Sequence, residues 1–374
     1  MKKYLIVLLI LNANLTAQTT FSNKGQASVW VAANGDASTL LGMRYIPTLN
    51  YGHSDASTWK LDSELAFNGF YSKIARLIGD IPGQSDLKTY RAWVRLSTSQ
   101  FELRLGLQKL NFGPAMLMRP LMWFDQIDPR DPLQLTDGVY ALLARYYFLN
   151  NANIWLWALK WNDGQRGMDF FTSDKEKPEY GGRIQVPVLS GEFGFSFHQR
   201  TTKPLQIFGL PVMSPTPSYS EKRYGLDGRL DYFIGMWFEG VLLKRDQIFE
   251  SLNYEHRLTI GGDYTIPFRD GITVLAEYFK QETSSEAFAK GEQISISAFS
   301  VRYPMGLLDN LSAIFYYNSE MHSWFRFANW QRTYNNWQIN LIAFSNPDEG
   351  QIYGQTQNTV FSGKGGQVML VFNY

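Results

Sequence analysis

The 374-residue sequence contains no cysteine. Disulfides, thiolate zinc sites, iron–sulfur clusters, thioether-linked haem and a cysteine nucleophile are therefore excluded. Histidine is scarce, limited to His53, His198, His256 and His322. Neither sign of charge predominates, with 35 basic against 34 acidic residues, so there is no bulk basic surface for nucleic acid. No phosphate-cradling glycine loop, zinc-ligand spacing or dinucleotide fingerprint occurs. Long apolar runs are missing too. Beyond residue 17 none approaches the roughly 18 residues that a membrane-spanning helix needs. Aromatic residues, by contrast, are abundant: 21 Tyr, 26 Phe and 11 Trp in a chain that is 45% hydrophobic. That is too apolar for a disordered chain and long enough for one large core or two ordinary domains.

Residues 1–17 have the pattern of a secretory signal peptide. Lys2 and Lys3 form a basic start, Tyr4 to Leu11 a short apolar stretch, and Ala17 a small residue suited to cleavage. Removing them leaves 33 basic against 34 acidic residues. The remainder, 18–374, reads as a single unit in which apolar and polar residues alternate. Trp59, Leu61, Leu65 and Phe67 oppose Lys60, Asp62 and Glu64. Leu103, Leu105 and Leu107 oppose Glu102 and Arg104, and Phe193, Phe195 and Phe197 oppose Glu192, Ser196 and His198. The last residues place Val368, Leu370, Phe372 and Tyr374 on one face.

The alternation predicts about eighteen strands, near 25–34, 38–50, 57–70, 87–98, 100–112, 138–149, 152–162, 179–189, 191–201, 221–234, 236–246, 254–267, 271–282, 292–303, 309–319, 322–333, 335–345 and 366–374. Connections after even-numbered strands are short. Several after odd-numbered strands are long: 71–86, 113–137, 163–178, 202–220 and 346–365. A soluble sandwich has no reason to sort its loops by end. An up-and-down antiparallel transmembrane β-barrel does, and its strands run to about ten residues, as several of these do. Tyr45, Trp59, Tyr147, Trp161, Trp237, Tyr278 and Trp330 fall near strand ends, where interfacial girdles form.

The chain resembles the Gram-negative outer-membrane porin-type barrels. The ending Val368-Met369-Leu370-Val371-Phe372-Asn373-Tyr374 is similar to the C-terminal insertion signal of that class. The resemblance implies recognition by the barrel-assembly machinery through Phe372 and Tyr374, a multi-pass position in outer-membrane lipid, and both termini in the periplasm. The run from Leu103 through Gln108 to Phe112-Gly113 is also similar to one leading into a long loop in eighteen-stranded porin and exporter barrels.

About eighteen strands leave an aqueous lumen, so function rests on the inward faces and on any loop folded between them. The inward charges expected are Lys60, Asp62, Glu64, Arg91, Arg95, Glu102, Arg104, Arg145, Lys160, Arg183, Glu192, Arg200, Asp227, Arg229, Asp231, Arg257, Asp263, Glu277 and Arg326. They can set a field across the pore or simply wet its wall. Loop 113–137 is unusually apolar, with Met116, Leu117, Met118, Leu121, Met122, Trp123 and Phe124. Such a loop should pack on something. The expectation is a constriction loop inside the lumen, with Arg119, Asp125, Asp128, Arg130 and Asp131 facing the passage. His198 is the one histidine expected mid-strand in the lumen. With only Ser196 beside it, it reads as a wall residue rather than part of a hydrolase. Neither a cofactor, a metal nor an enzymatic activity is expected. The expected function is passive diffusion of small polar or charged solutes. The alternatives are a non-conducting barrel that holds a protein partner on its long-loop side within a surface or secretion complex, and an exporter of a charged polysaccharide. A continuous basic strip through Arg91, Arg104, Arg145 and Arg183 would mark the exporter.

Overall fold

The computed structural model describes residues 18–35, 38–54, 58–75, 81–169, 171–204, 218–246, 253–347, 352, 361 and 363–374. Segment 1–17, read from the sequence as a signal peptide, lies outside the described residues. The strands are β1 (Gln18–Asn34), β2 (Thr39–Ser54), β3 (Lys60–Ala75), β4 (Ile81–Ser97), β5 (Phe101–Gln108), β6 (Val139–Tyr147), β7 (Asn153–Leu159), β8 (Phe171–Ser173), β9 (Glu179–Val188) and β10 (Gly191–Pro204). They continue with β11 (Tyr219–Asp231), β12 (Gly235–Arg245), β13 (Tyr254–Ile266), β14 (Ile272–Ser284), β15 (Glu292–Met305), β16 (Asp309–Asn318), β17 (Ser323–Thr333), β18 (Trp337–Ser345) and β19 (Lys364–Asn373).

Each long strand pairs antiparallel with its neighbour in sequence, and β1 closes on β19 with Val29 opposite Leu370 and Trp30 opposite Met369. The three-residue β8 adds only to the end of β10, while β7 pairs past it with β9. The wall is thus a closed barrel of 18 strands. Closure leaves no free edge, so the ladder hydrogen bonds of every wall strand have partners on both sides.

All eighteen expected strands are present. Their ends differ most at the start, where β1 begins at Gln18 rather than near Gly25, and between the third and fourth, where β3 runs on to Ala75 rather than 70 and β4 begins at Ile81 rather than 87. Turns at one end are tight. The β9–β10 hairpin consists of Leu189 and Ser190, with Leu189 in the left-handed region at φ 51°. At the other end lie 109–138 and 160–178.

The outer face carries large apolar side chains in the open. Leu105, Leu156, Phe195, Leu226, Ile260 and Val368 are all exposed. A soluble protein hides such residues. On a barrel in lipid they form the apolar band. Trp324, Trp337, Tyr45 and Tyr278 are exposed on the same surface. Trp237 departs from the expected girdle: it is buried in the interior, where Trp237 Nε1 donates to Glu277 Oε1 at 3.0 Å.

Candidate functional site: the barrel interior

The interior is built from two loops packed on each other, an apolar inward face on β14 to β18, a sealed ionic wall and a more accessible charged wall. Segment 109–138, between β5 and β6, turns inward. Its apolar residues divide between two clusters. Leu110, Phe112, Leu121, Trp123 and Phe124 pack on Val139, Leu143, Trp157 and Leu159 of β6 and β7 and on Val241 and Leu243 of β12. Ala115, Leu117 and Met118 pack with an apolar inward face on β14 to β18 that includes Phe279, Ile296, Tyr316, Phe327 and Phe344. Farther along, Leu133 packs against the cluster of Trp30, Met369 and Val371 on β1 and β19, which Leu40 and Phe70 of β2 and β3 also flank. The loop therefore crosses the lumen.

Two buried carboxylates hold its backbone. Glu239 accepts from Ala115 N at 2.8 Å and Leu121 N at 2.9 Å. Glu277 accepts from Met116 N, Leu117 N and Met118 N at 2.7, 3.0 and 2.7 Å. Thr259 Oγ1 donates to Met118 O at 2.7 Å. A loop without regular structure leaves main-chain donors unpaired, and a wall carboxylate is a strong acceptor for them. Gly113 sits at φ 95°, where a Cβ would collide with Glu239 Oε1. Only glycine lets the chain pass so close.

The five loop charges do not face the passage as free groups, contrary to the sequence expectation. Arg119 Nη1 donates to Asp125 Oδ2 at 3.2 Å, and Arg130 Nη2 to Asp128 Oδ2 at 2.9 Å, all four being buried. Asp131 Oδ1 accepts from Leu133 N at 2.9 Å. These pairs fold the loop onto itself because a charge carried into a packed interior needs a local partner. Burial pushes the Asp125 carboxyl above its ordinary value, against the pull of Arg119. Asp131 is raised likewise, against its bonds to Leu133 and Leu135.

The second loop, 160–178, lies against the first, with Gly167 N donating to Asp125 O at 2.8 Å. Its Asp169 enters an ionic ladder across β10 to β13. Arg200 Nη2 and Arg223 Nη2 lie 2.9 and 2.6 Å from Asp169 Oδ2. Glu221 receives Arg200 Nε at 2.6 Å and Arg245 Nε at 2.5 Å, and Glu255 receives Arg245 Nη1 and Arg257 Nε, each at 2.6 Å. Side chains here are 0–3% exposed. Arg183 pairs with Asp227 through two bonds of 2.6 and 2.8 Å. His198 Nδ1 lies 3.2 Å from Trp157 Nε1, which donates to it, and His198 Nε2 lies 3.1 Å from Glu179 Oε2. Ser196 Oγ accepts from Arg183 Nη1 at 3.0 Å. Neither Ser196 nor His198 is hydrogen-bonded to the other, and both ring nitrogens are already partnered.

The third region, on β3 to β6, is accessible. Asp62 accepts from Arg95 Nη2 at 2.8 Å, with the two side chains 31% and 32% exposed. Glu102 lies 2.9 Å from Arg104, 3.6 Å from Arg145 and 3.8 Å from Arg95. Glu64 is half-buried on the same inward face. Arg91 is buried and donates to Thr136 O at 2.9 Å. Arg229 lies at the short-turn end between Asp231 and Asp263, 2.8 and 3.3 Å away. Of the expected lumen charges, Arg326 must be corrected. It lies on the outward face of β17 beside Trp324, while Phe325 and Phe327 point in. An extra apolar inward stripe on β14 to β18 had hidden the phase of that strand. Glu179, Glu221, Arg223, Arg245 and Glu255 were missed among inward charges, and so was Glu239. Its signal was a lone acid at the inward register of Trp237, Val241 and Leu243. Among the described residues no group of three or more His, Asp or Glu is placed to hold a metal.

Phe372 and Tyr374 end the closing strand. Phe372 packs on Trp337 with ring centroids 4.6 Å apart, and Tyr374 Oη lies 2.6 Å from Tyr45 Oη.

A closed antiparallel barrel of 18 strands, with an apolar exterior, a charged interior and a loop folded through it, is a transmembrane barrel of the porin type. Solved structures with this fold include OccAB1 of Acinetobacter baumannii, at TM-score 0.56 and 8% identity over 95% of each chain. OmpT of Vibrio cholerae, an outer membrane protein in trimer form, is similar at TM-score 0.53 and 10% identity over 95% of this chain and 99% of that one. OccK5 of Pseudomonas aeruginosa is similar at TM-score 0.53 and 10% identity over 95% and 97%. Identity this low speaks for the fold alone. No family model and no curated protein matches the sequence.

Proposed function

We propose that the protein is an outer-membrane channel for passive diffusion of small polar or charged solutes, with its long loops outside the cell and both termini in the periplasm. The observation that carries this reading is the contrast within one lumen: the ladder on β10 to β13 is sealed, whereas Asp62 and Arg95 on β3 and β4 remain about a third exposed. Charges left accessible inside a closed barrel suit a wet path along that wall, with the inserted loop as its opposite bank. Assembly through recognition of Phe372 and Tyr374 belongs to the same proposal.

A second reading is favoured by the burial of Arg119, Asp125, Asp128 and Arg130 inside a loop that crosses the lumen. It makes the barrel a non-conducting component that holds a partner at its long-loop end. The polysaccharide exporter loses its distinguishing mark, because Arg183 is buried against Asp227 and so interrupts the basic strip. Single-channel current of the purified protein in a planar bilayer decides between the first two. Stable ohmic steps support the channel. Silence from protein whose barrel is intact on an unheated gel supports the sealed barrel.

A further inference from the structure

The short turns carry side chains that water would not select. Leu149, Leu189, Phe233 and Leu307, at the tips of the β6–β7, β9–β10, β11–β12 and β15–β16 hairpins, are each at least 86% exposed. Phe268 and Tyr334, in the β13–β14 and β17–β18 turns, are exposed as well, so six successive hairpins at this end present an apolar or aromatic residue. All six lie beyond the last ladder pair of their strands and so outside the apolar band of the wall. Leu189 also holds a left-handed backbone at φ 51°, which glycine or asparagine adopts with less strain, while its exposed side chain adds little to the fold. Over 148–152, 189–190, 232–234, 267–271, 306–308 and 334–336 the only charged residues are Arg269 and its neighbour Asp270. The β4–β5 turn differs. It is Thr98-Ser99-Gln100, and Thr98 Oγ1 accepts from Gln100 N at 3.3 Å and Phe101 N at 3.0 Å.

We infer that these tips are a lipid-inserting surface: along the arc from β6 to β18 the short turns are submerged in the phospholipid leaflet at that end instead of standing in water. The tips continue the lipid-facing register of their strands. Tyr232 and Ile234 follow Tyr224 and Leu226, Phe268 follows Ile260, Tyr264 and Ile266, and Leu307 follows Phe299 and Met305, all of them exposed. They are separate, convex and nearly uncharged. A protein partner needs a contiguous complementary patch, whereas a fluid leaflet covers scattered tips without matching their shape. Beside two of the tips, Leu308, Tyr334, Trp337 and Phe372 line a recess of about 500 Å3 that Asn335 and Asn336 also border. Aromatic rings with amides at their edge match the boundary between acyl chains and headgroups. The inference rests on the membrane barrel and not on conduction.

The absence of cysteine allows a single nitroxide to be attached at L149C, F233C or L307C of the otherwise unchanged protein, with S99C on the polar turn as reference. The labelled proteins are placed in vesicles of phosphatidylethanolamine and phosphatidylglycerol, and barrel formation is checked on an unheated gel. Collisions with oxygen, which concentrates in lipid, are then compared with collisions with a water-soluble nickel chelate. The oxygen-to-nickel ratio is expected to be several-fold higher at the three tips than at S99C. A ratio equal to that of S99C would put the tips in water and overturn the inference. Low collision with both reagents would show a protein or a second copy covering them, and would overturn it too. As a second test, L149N/F233N/L307N should still form the barrel yet lower the ratio read from L189C several-fold; an unchanged ratio would count against insertion. Silent and conducting barrels are read alike, so failure here leaves the channel reading standing, and absence of current leaves this one standing.

Discussion

Glu277 receives three consecutive main-chain N–H groups and an indole, and among the described residues it forms no ion pair. Its charge is balanced by dipoles, the arrangement by which a loop can be clamped without a salt bridge. Glu277→Ala would leave those donors without an acceptor, at roughly 1–3 kcal/mol for each that water fails to reach. We expect lower resistance to urea unfolding in lipid vesicles together with noisier, larger currents. Wild-type values of both would show that the loop is held elsewhere. Arg183 and Asp227 offer a different kind of residue test. Removing Arg183 strands a buried carboxylate, which typically costs about 3–5 kcal/mol, whereas removing both partners should restore part of the loss. A double variant as unstable as the worse single one would contradict that account.

At the level of elements, most strands were legible because exposed apolar side chains on the outer face alternate with polar ones on the inner face. The sorting of short and long connections then fixed the architecture. What the inserted loop does with its charges was not legible. Arg119 and Asp125, or Asp128 and Arg130, are near neighbours in sequence, and nothing in that spacing distinguishes charges that face a passage from charges that neutralise each other. The clamp was hidden for another reason. Glu239 and Glu277 lie 118 and 160 residues beyond the amides of Leu121 and Leu117, and only the closed sheet brings them together. Arg326 failed through phase: where both faces of a strand are apolar, as with Trp324 against Phe325, alternation has no sign. The element-scale prediction concerns segment 113–137. Replacing it with a short glycine-serine connection should raise unit conductance severalfold if a path runs beside it, with the barrel still resistant to detergent. Conductance equal to wild type would remove the loop from the path.

For the whole molecule, solvent is reversed between outside and inside, so the sign of a substitution depends on the face and not on the residue type. Leu258 and Thr259 are neighbours on β13, one exposed to the apolar surroundings and the other buried against the loop. Leu258→Arg should destabilise the folded barrel by about 2–4 kcal/mol if it lies near the bilayer centre. The loss should shrink in thinner bilayers, measured as the unfolding midpoint in vesicles of graded acyl length. Thr259→Val instead removes one hydrogen bond to Met118 O, and its smaller loss of roughly 1 kcal/mol should be indifferent to bilayer thickness. Equal dependence on thickness at the two sites would refute the assigned faces.

The inserted loop also imposes an order in time. Residues 109–138 leave the ribosome well before Glu239, Thr259, Glu277 and the apolar faces of β14 to β18 exist as a wall. Trp123, Phe124 and Met118 are thus committed to a destination that has not yet been made, and the first strand, which finds β2 at once, cannot close on β19 until residues 365–373 arrive. A sequence that places its most adhesive segment in the first third and much of its docking surface in the last two-thirds leaves that segment without its destination in between. The interior of this barrel can be furnished only once the walls it docks on exist.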